Sequence, residues 1–415
     1  MFSDSSGDPF ARSGELFARA ANVIPGGIYG HVSPAAVLPQ ASPYYAERAK
    51  GPYYWDVDGR RYIDFVCGYG PIVLGYQNEE IEAAAAEQRA KGTIFNHPTA
   101  RMVELAEKLC TLIDFADWAV FAKNGSDVTT WAIQVAREHT KRKRIAKVAG
   151  AYHGVDPWCS PGYGGVLPED RALIDSFPWN DVEAIQELFE KQKDDLAAVI
   201  ITPYHHPVFA DQVFGDPEFF AELRRLCDQH GVILILDDIR AGFRLSVHGS
   251  HCVYGIDPDI ACYCKAMANG YAISSCVGKH EYKIAASKVF LTGSYGNDAV
   301  AMAAALKCIE ILERDDVPGR LERAGSRWIK RLISLAEQYE VSLRASGPSA
   351  APFIRVDDDA DFLKTQAWAA SMIAEGVFIH PHHNGFMSWA HTDAVIDEAL
   401  ELAGRGFSRL VGATV

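Results

Sequence analysis

Between residues 117 and 310 the sequence repeats one unit: a short apolar run, a turn of small or polar residues, then a stretch with helical spacing. "WAVFAK" leads into "VTTWAIQVAREHT", "RIAKVAG" into "AYHG", and "LAAVIIT" and "GVILILDD" flank the helical "PEFFAELRRLCDQHG". Runs that are apolar at every position, not every second one, read as strands covered on both faces. Helices above and below a parallel sheet give that cover. The expected fold class is therefore α/β, with a large, mostly parallel sheet domain.

The flanks read differently. "GELFARAANVI" at 14–24 has helical spacing and stops at "PGG". "GPYYWDVDGRRYIDF" predicts two short strands around the turn Asp56-Val57-Asp58-Gly59. Two amphipathic helices are expected over 78–113, and a long helix over 319–340 follows "VAMAAALKCIEILERDD". With 415 residues the chain exceeds one minimal core. The expected division is an N-terminal segment at 1–65, a large domain at 66–315 and a smaller α+β domain at 316–415, the small domain drawing on both termini.

A net charge of −14 argues against a nucleic-acid partner, which would need a basic patch. The nine cysteines are an odd number, several lie in apolar runs, and no paired CxxC units occur. Neither a disulfide framework nor a zinc ribbon is expected, and a reducing cytoplasm fits best. No basic-then-apolar leader or long uncharged apolar run is visible, so a cytoplasmic protein without a membrane partner is expected.

Ligands of a parallel sheet gather at the carboxyl ends of its strands, and four groups there carry chemistry. Asn124-Gly125-Ser126-Asp127 opens a helix and could hold a phosphate, although alone it is an ordinary cap. Tyr152-His153-Gly154 offers an exposed aromatic beside a permissive glycine. Asp237 and Asp238 end an apolar strand, where an unpaired carboxylate is costly; an ion pair to Arg240 or Arg244 would equally account for them. Lys265 ends the next apolar run, "IACYC", where a lysine could simply snorkel to water. Pyridoxal 5′-phosphate (PLP) needs all four together: a lysine for the Schiff base, an acid on the pyridine nitrogen, a phosphate cradle and an aromatic face.

Nearly the whole chain resembles the class III (fold type I) PLP-dependent aminotransferases, in their glutamate-1-semialdehyde aminomutase-like branch. The likeness lies in "VIPGGIYG", "KGPYYWDVDGRRYIDFVCGYGPIVLGY", "KNGSDVTTWAIQVAR", "GAYHG", "ILDDIRAGFR", "CKAMANGY", "TGSYGNDAVAMAAA" and "SWAHTDAVIDEALELA". It implies the PLP-dependent transferase fold type I, with Lys265 bonded to the cofactor and Asp237 on the ring nitrogen. Gly125 and Ser126 match the phosphate loop, Tyr152 the stacking aromatic, and Ile239 the apolar residue behind the ring. Ser294 matches a threonine that reaches the phosphate of the neighbouring subunit, so a homodimer with shared sites is implied.

The sequence departs from the aminomutase pattern where that enzyme grips its substrate carboxylate. Ser33 stands in place of an arginine, with Tyr29 and His31 nearby. The glutamate usual before "AHT" is absent, and the tail reads His380-Pro381-His382-His383. Residues Tyr29, His31, His153, His382 and His383 are the expected substrate pocket. His380 and His382, two apart on a strand, would share a face with His383 turned away, and no metal site is expected there. His205 and His206 in "PYHHPV" follow a buried strand and could face the cofactor. "DVDG" lacks the remaining ligands of a calcium loop and reads as a turn. The expected activity is transfer of an amino group from an amino acid donor to a ketone or aldehyde acceptor by a ping-pong mechanism. An amino-sugar or secondary-metabolite carbonyl is the expected acceptor class. A 2,1-aminomutase is the second reading, and a catalytically inactive cofactor-fold binding protein the third.

Overall fold

The structure, a computed structural model, describes residues 8–30 and 38–412. Its chain forms two compact units: Met1–Tyr69 with Val73–Asn78 and Leu321–Val415, and Gly70–Ile72 with Glu79–Arg320. His31 and Ser33 lie outside the described residues.

The second unit is built on a seven-stranded sheet. In spatial order its strands are Trp118–Ala122, Ser274–Gly278, Ile260–Tyr263, Ile233–Asp237, Leu196–Ile201, Arg144–Val148 and Ile174–Phe177. Every residue of Leu196–Ile201 and Ile233–Asp237 is buried, as runs without alternation require. Helix Gly125–Thr140 buries Val128, Trp131, Ala132, Val135 and Ala136 against the sheet core. Helix Pro217–His230 starts with proline in its first turn and ends at Gly231, whose φ of 60° suits a residue without Cβ.

Two features of this sheet differ from the expected pattern. Ser274–Gly278 runs antiparallel to both neighbours. Only residues 264–273 join it to Ile260–Tyr263, too few for a parallel crossover of a dozen or more residues, so the chain must turn straight back. The edge strand Ile174–Phe177 has only one buried residue and therefore no apolar run to announce it.

In the first unit, Ala46–Lys50, Tyr53–Asp56 and Arg61–Asp64 form an antiparallel meander, and Val377–Phe378 adds in parallel. Tyr54 and Tyr62 stack in its core with ring centroids 5.0 Å apart. The first helix is Ala11–Ala21, three residues earlier than its periodicity predicts. Its start is set from a distance: the Asp58 carboxylate accepts the Arg12 and Ser13 N–H groups at 2.7 and 3.1 Å. The "DVDG" turn thus caps a helix. No helix of the described residues is long and apolar enough to cross a membrane.

Candidate active site at the carboxyl edge of the large sheet

The short connection that reverses the last strand also presents Lys265. Asp237 is in register with Cys262 on the adjacent strand, and Lys265 opens the buried turn Lys265–Ala268 just beyond it. Lys265 has φ 36°, a left-handed conformation costing about 1 kcal/mol or more outside glycine. Packing holds it there: Ala266 and Met267 are fully buried, and the Cys308 thiol donates to the Ala266 carbonyl. Part of the Lys265 surface stays open, while burial, and next the Arg240 charge, push its ammonium down to about 7.

That depression makes the cofactor-free protein sensitive to pH. Between about pH 7 and the ordinary lysine value of 10.5, the unfolded chain binds the lysine proton and the folded one does not. Stability should therefore rise with pH across this window, by up to about 1.4 kcal/mol per pH unit from this group. Urea unfolding at pH 7, 8 and 9 should show that rise in wild type and a flatter profile in Lys265→Met. Equal slopes would mean the ammonium is not disfavoured in the fold.

Asp237 is only 5% exposed. Its Oδ2 lies 2.8 Å from His153 Nδ1, and its Oδ1 accepts the Ile239 N–H at 3.3 Å. An ionised carboxylate only accepts, so His153 carries its proton on Nδ1. His153 is 1% exposed and stacks on Trp158 at an interplanar angle of 11°. Thr129 Oγ1 donates to the His153 carbonyl, and Trp158 Nε1 to Thr130 Oγ1, each at 2.8 Å. Thr130 in turn bonds Asp156. His153, expected in the substrate pocket, is instead the clamp on Asp237. The neighbouring Asp238 faces Ser250, accepting its N–H and O–H, and burial pushes its carboxyl up to about 7.

Gly125 and Ser126 open the helix Gly125–Thr140. The Asp127 carboxylate accepts the Lys123 and Asn124 N–H groups at 3.1 and 2.8 Å. The Asp127 N–H already reaches the Asn124 carbonyl at 3.2 Å, so Gly125 and Ser126 are the helix-opening residues whose N–H groups come before that first bond, the arrangement that holds an anion. A Cβ on Gly125 would come within 2.6 Å of Ile239 Cδ1, so any larger residue there would have to push that side chain aside. Ser126 Oγ accepts the Val155 N–H at 3.1 Å. Gly154, at φ 131°, leaves room for it, because a Cβ there would stand 2.5 Å from Ser126 Oγ. Tyr152 is half-buried, and burial raises its phenol. Lys265, Asp237, His153, Ile239, Gly125, Ser126 and Tyr152 thus share one edge of one sheet. A lone neutralised lysine, a clamped carboxylate and a glycine-floored helix start fit the ring, aldehyde and phosphate of PLP.

The other expected residues have these surroundings. Tyr29 is 82% exposed. Ser294 is on an exposed loop lining a groove of about 1150 Å³ with Lys123, Thr130, Trp131, Phe290 and Tyr295. His380–His383 do not form a strand but a bend, which overturns the alternation expected of them. His380 and His383 line one small cavity of about 30 Å³ with Phe65, Trp328 and Trp368. His382 turns to Gln366 Nε2, 3.2 Å away, and to the Phe362 ring. His206 is buried and its imidazole is driven well below the usual range by burial, while His205 stacks on Trp179.

A profile of the family "Aminotransferase class-III" matches residues 36–411. The aminopentol aminotransferase of Sphingopyxis macrogoltabida is 42% identical over 400 residues, covering 96% of this chain and 94% of that protein. The 3-aminobutyryl-CoA aminotransferase of Cloacimonas acidaminovorans is 37% identical, covering 92% and 93%. Among solved structures, the PLP internal aldimine form of the Sphingopyxis sp. MTA144 FumI protein superposes with a TM-score of 0.94 at 41% identity, covering 97% of each chain.

Proposed function

The chain belongs to the PLP-dependent class-III aminotransferases, and we propose that it moves an amino group between an amino acid and an organic carbonyl compound at the Lys265–Asp237 edge. The observation that carries this reading is the lysine itself: Lys265 stands just past the strand that pairs with the one ending in buried Asp237, and burial pushes its ammonium down to about 7. When bound, PLP supplies an electron-withdrawing ring that stabilises negative charge at the carbon bearing the amino group.

The residues divide the work. Asp237, held by His153 and the Ile239 N–H, keeps a proton on the ring nitrogen. Lys265 would hold the cofactor through its amine, and that amine would carry a proton to and from the reacting carbon. Gly125, Ser126 and the helix start hold the phosphate. Tyr152 would cover one face of the ring and Ile239 would support the other. The working unit is a homodimer in which Ser294 reaches the phosphate of the partner's site. The exposed apolar Phe290 and Tyr295 beside it are the surface a second copy would cover.

The named relatives at 42% and 37% identity act as aminotransferases, one of them on an aminopentol. Ser33, where the aminomutase has an arginine, cannot make a two-pronged carboxylate contact. The acceptor side is accordingly a neutral carbonyl compound of amino-sugar or secondary-metabolite type. A donor amino acid added without acceptor should convert the bound cofactor to its amine form in one turnover, read by absorbance, with ping-pong kinetics on adding a carbonyl compound. Efficient turnover of glutamate 1-semialdehyde with no external acceptor would replace this reading by the aminomutase.

A further inference from the structure

One residue past Ser250, three potential metal ligands of different chemistry meet at one point. Asp114 lies in the turn after helix Ala100–Leu112, and His251 and Cys252 begin the short helix His251–Tyr254. Asp114 Oδ1 is 2.9 Å and Cys252 Sγ 3.3 Å from the same nitrogen, His251 Nε2. The three ligand atoms all lie within 4.8 Å of one another. Among the described residues this is the one such group of three or more.

A single nitrogen serves that pair of neighbours poorly. Neutral imidazole presents at Nε2 either one proton or one lone pair. With the proton it bonds Asp114 and can only share the same N–H with sulfur; with the lone pair it confronts the carboxylate. The ring has no other polar outlet, since His251 Nδ1 is buried without a hydrogen-bond partner. A cation at the common point takes the Nε2 lone pair, the carboxylate oxygen and the thiolate together, with the imidazole proton on Nδ1 and the thiol proton released to water. Tetrahedral bonds of the usual zinc lengths put such donors about 3.3–3.7 Å apart. The observed spacing reaches this with a small swing of Asp114, whose side chain is 75% exposed. One borderline nitrogen, one soft sulfur and one carboxylate favour zinc-like ions over calcium or magnesium, which take oxygen.

We propose that Asp114, His251 and Cys252 form a binding site for a divalent transition cation of zinc type, with water completing the coordination. It uses none of the residues assigned to the transaminating edge and staples two segments already in contact: His248 Nδ1 lies 3.0 Å from the Leu112 carbonyl. Binding to the folded state alone stabilises it by mass action.

Cobalt(II) is the probe, added to chelator-stripped, untagged holoenzyme. One ion per chain should bind with the visible bands of a four-coordinate ion. Cys252→Ser and Asp114→Asn, both at exposed positions that burden folding little, should each weaken binding at least tenfold and leave transamination unchanged. Zinc should raise the melting temperature of wild type and not of Cys252→Ser. Absence of stoichiometric binding, or equal binding by Cys252→Ser, overturns the site.

Discussion

Lys265→Ala should give a folded protein that still retains PLP through its phosphate and ring contacts but transaminates at least about 10²–10⁴-fold more slowly, the range over which a positioned proton carrier acts. Borohydride should fix the cofactor on Lys265 in wild type and on no residue in the variant. The reason for choosing this lysine is what its rivals do. Lys123 Nζ bonds the Ala272 carbonyl and the Asp298 carboxylate at 2.8 and 3.1 Å, so its amine is already engaged. Lys147 Nζ donates to the Ala151 carbonyl at 3.2 Å. Among the described residues Lys265 makes no ion pair, and its ammonium is disfavoured to about 7. A small primary amine in the buffer should restore part of the rate, because the lost group is a base rather than a support. Recovery of the covalent label on Lys123 or Lys147 would remove Lys265 from its place.

Much of this edge is legible in the sequence because it depends on period and position. A run that is apolar throughout is a covered strand, and the residues just beyond its carboxyl end lie at the sheet's edge. That places Asp237, Tyr152, Gly125 and Lys265 together without any knowledge of side-chain contacts. Pairing is the part that escapes. Nothing in "YHG" says that His153 turns inward to Asp237 rather than outward to substrate; only the Trp158 stack and the Thr129 bond to its carbonyl decide it. The same holds for Asp237 and Asp238, adjacent carboxylates whose roles separate because Ser250 takes one of them. The His380–His383 stretch misleads for a different reason. Alternation applies only to extended chain, and this segment bends. The reversal of Ser274–Gly278 is legible in hindsight, from a connection too short to cross over.

Asp237→Asn should cost activity by about 10²–10⁴-fold while leaving the fold, the PLP content and the Lys265 label in place. The amide is nearly the same shape, so the buried site stays filled, but it cannot hold a proton on the ring nitrogen by charge. His153 makes the substitution more telling. Its Nδ1–H now donates to Oδ2, and an amide that turns its NH₂ toward that proton leaves two donors facing each other in a buried site. The imidazole would then favour the tautomer with its proton on Nε2, so the variant changes two groups in one step. A His153→Leu variant separates them: it keeps the Asp237 charge and should lose far less, roughly tenfold, the scale typical of removing a supporting hydrogen bond from a ligand that already has its charge. Asp238→Asn is the matched control. Its carboxyl is already raised to about 7 and engaged by Ser250, so removing its charge should leave turnover close to wild type. If Asp238→Asn fell as far as Asp237→Asn, the pair would have to be treated as one charge shared behind the ring, and the assignment to Asp237 alone would fail.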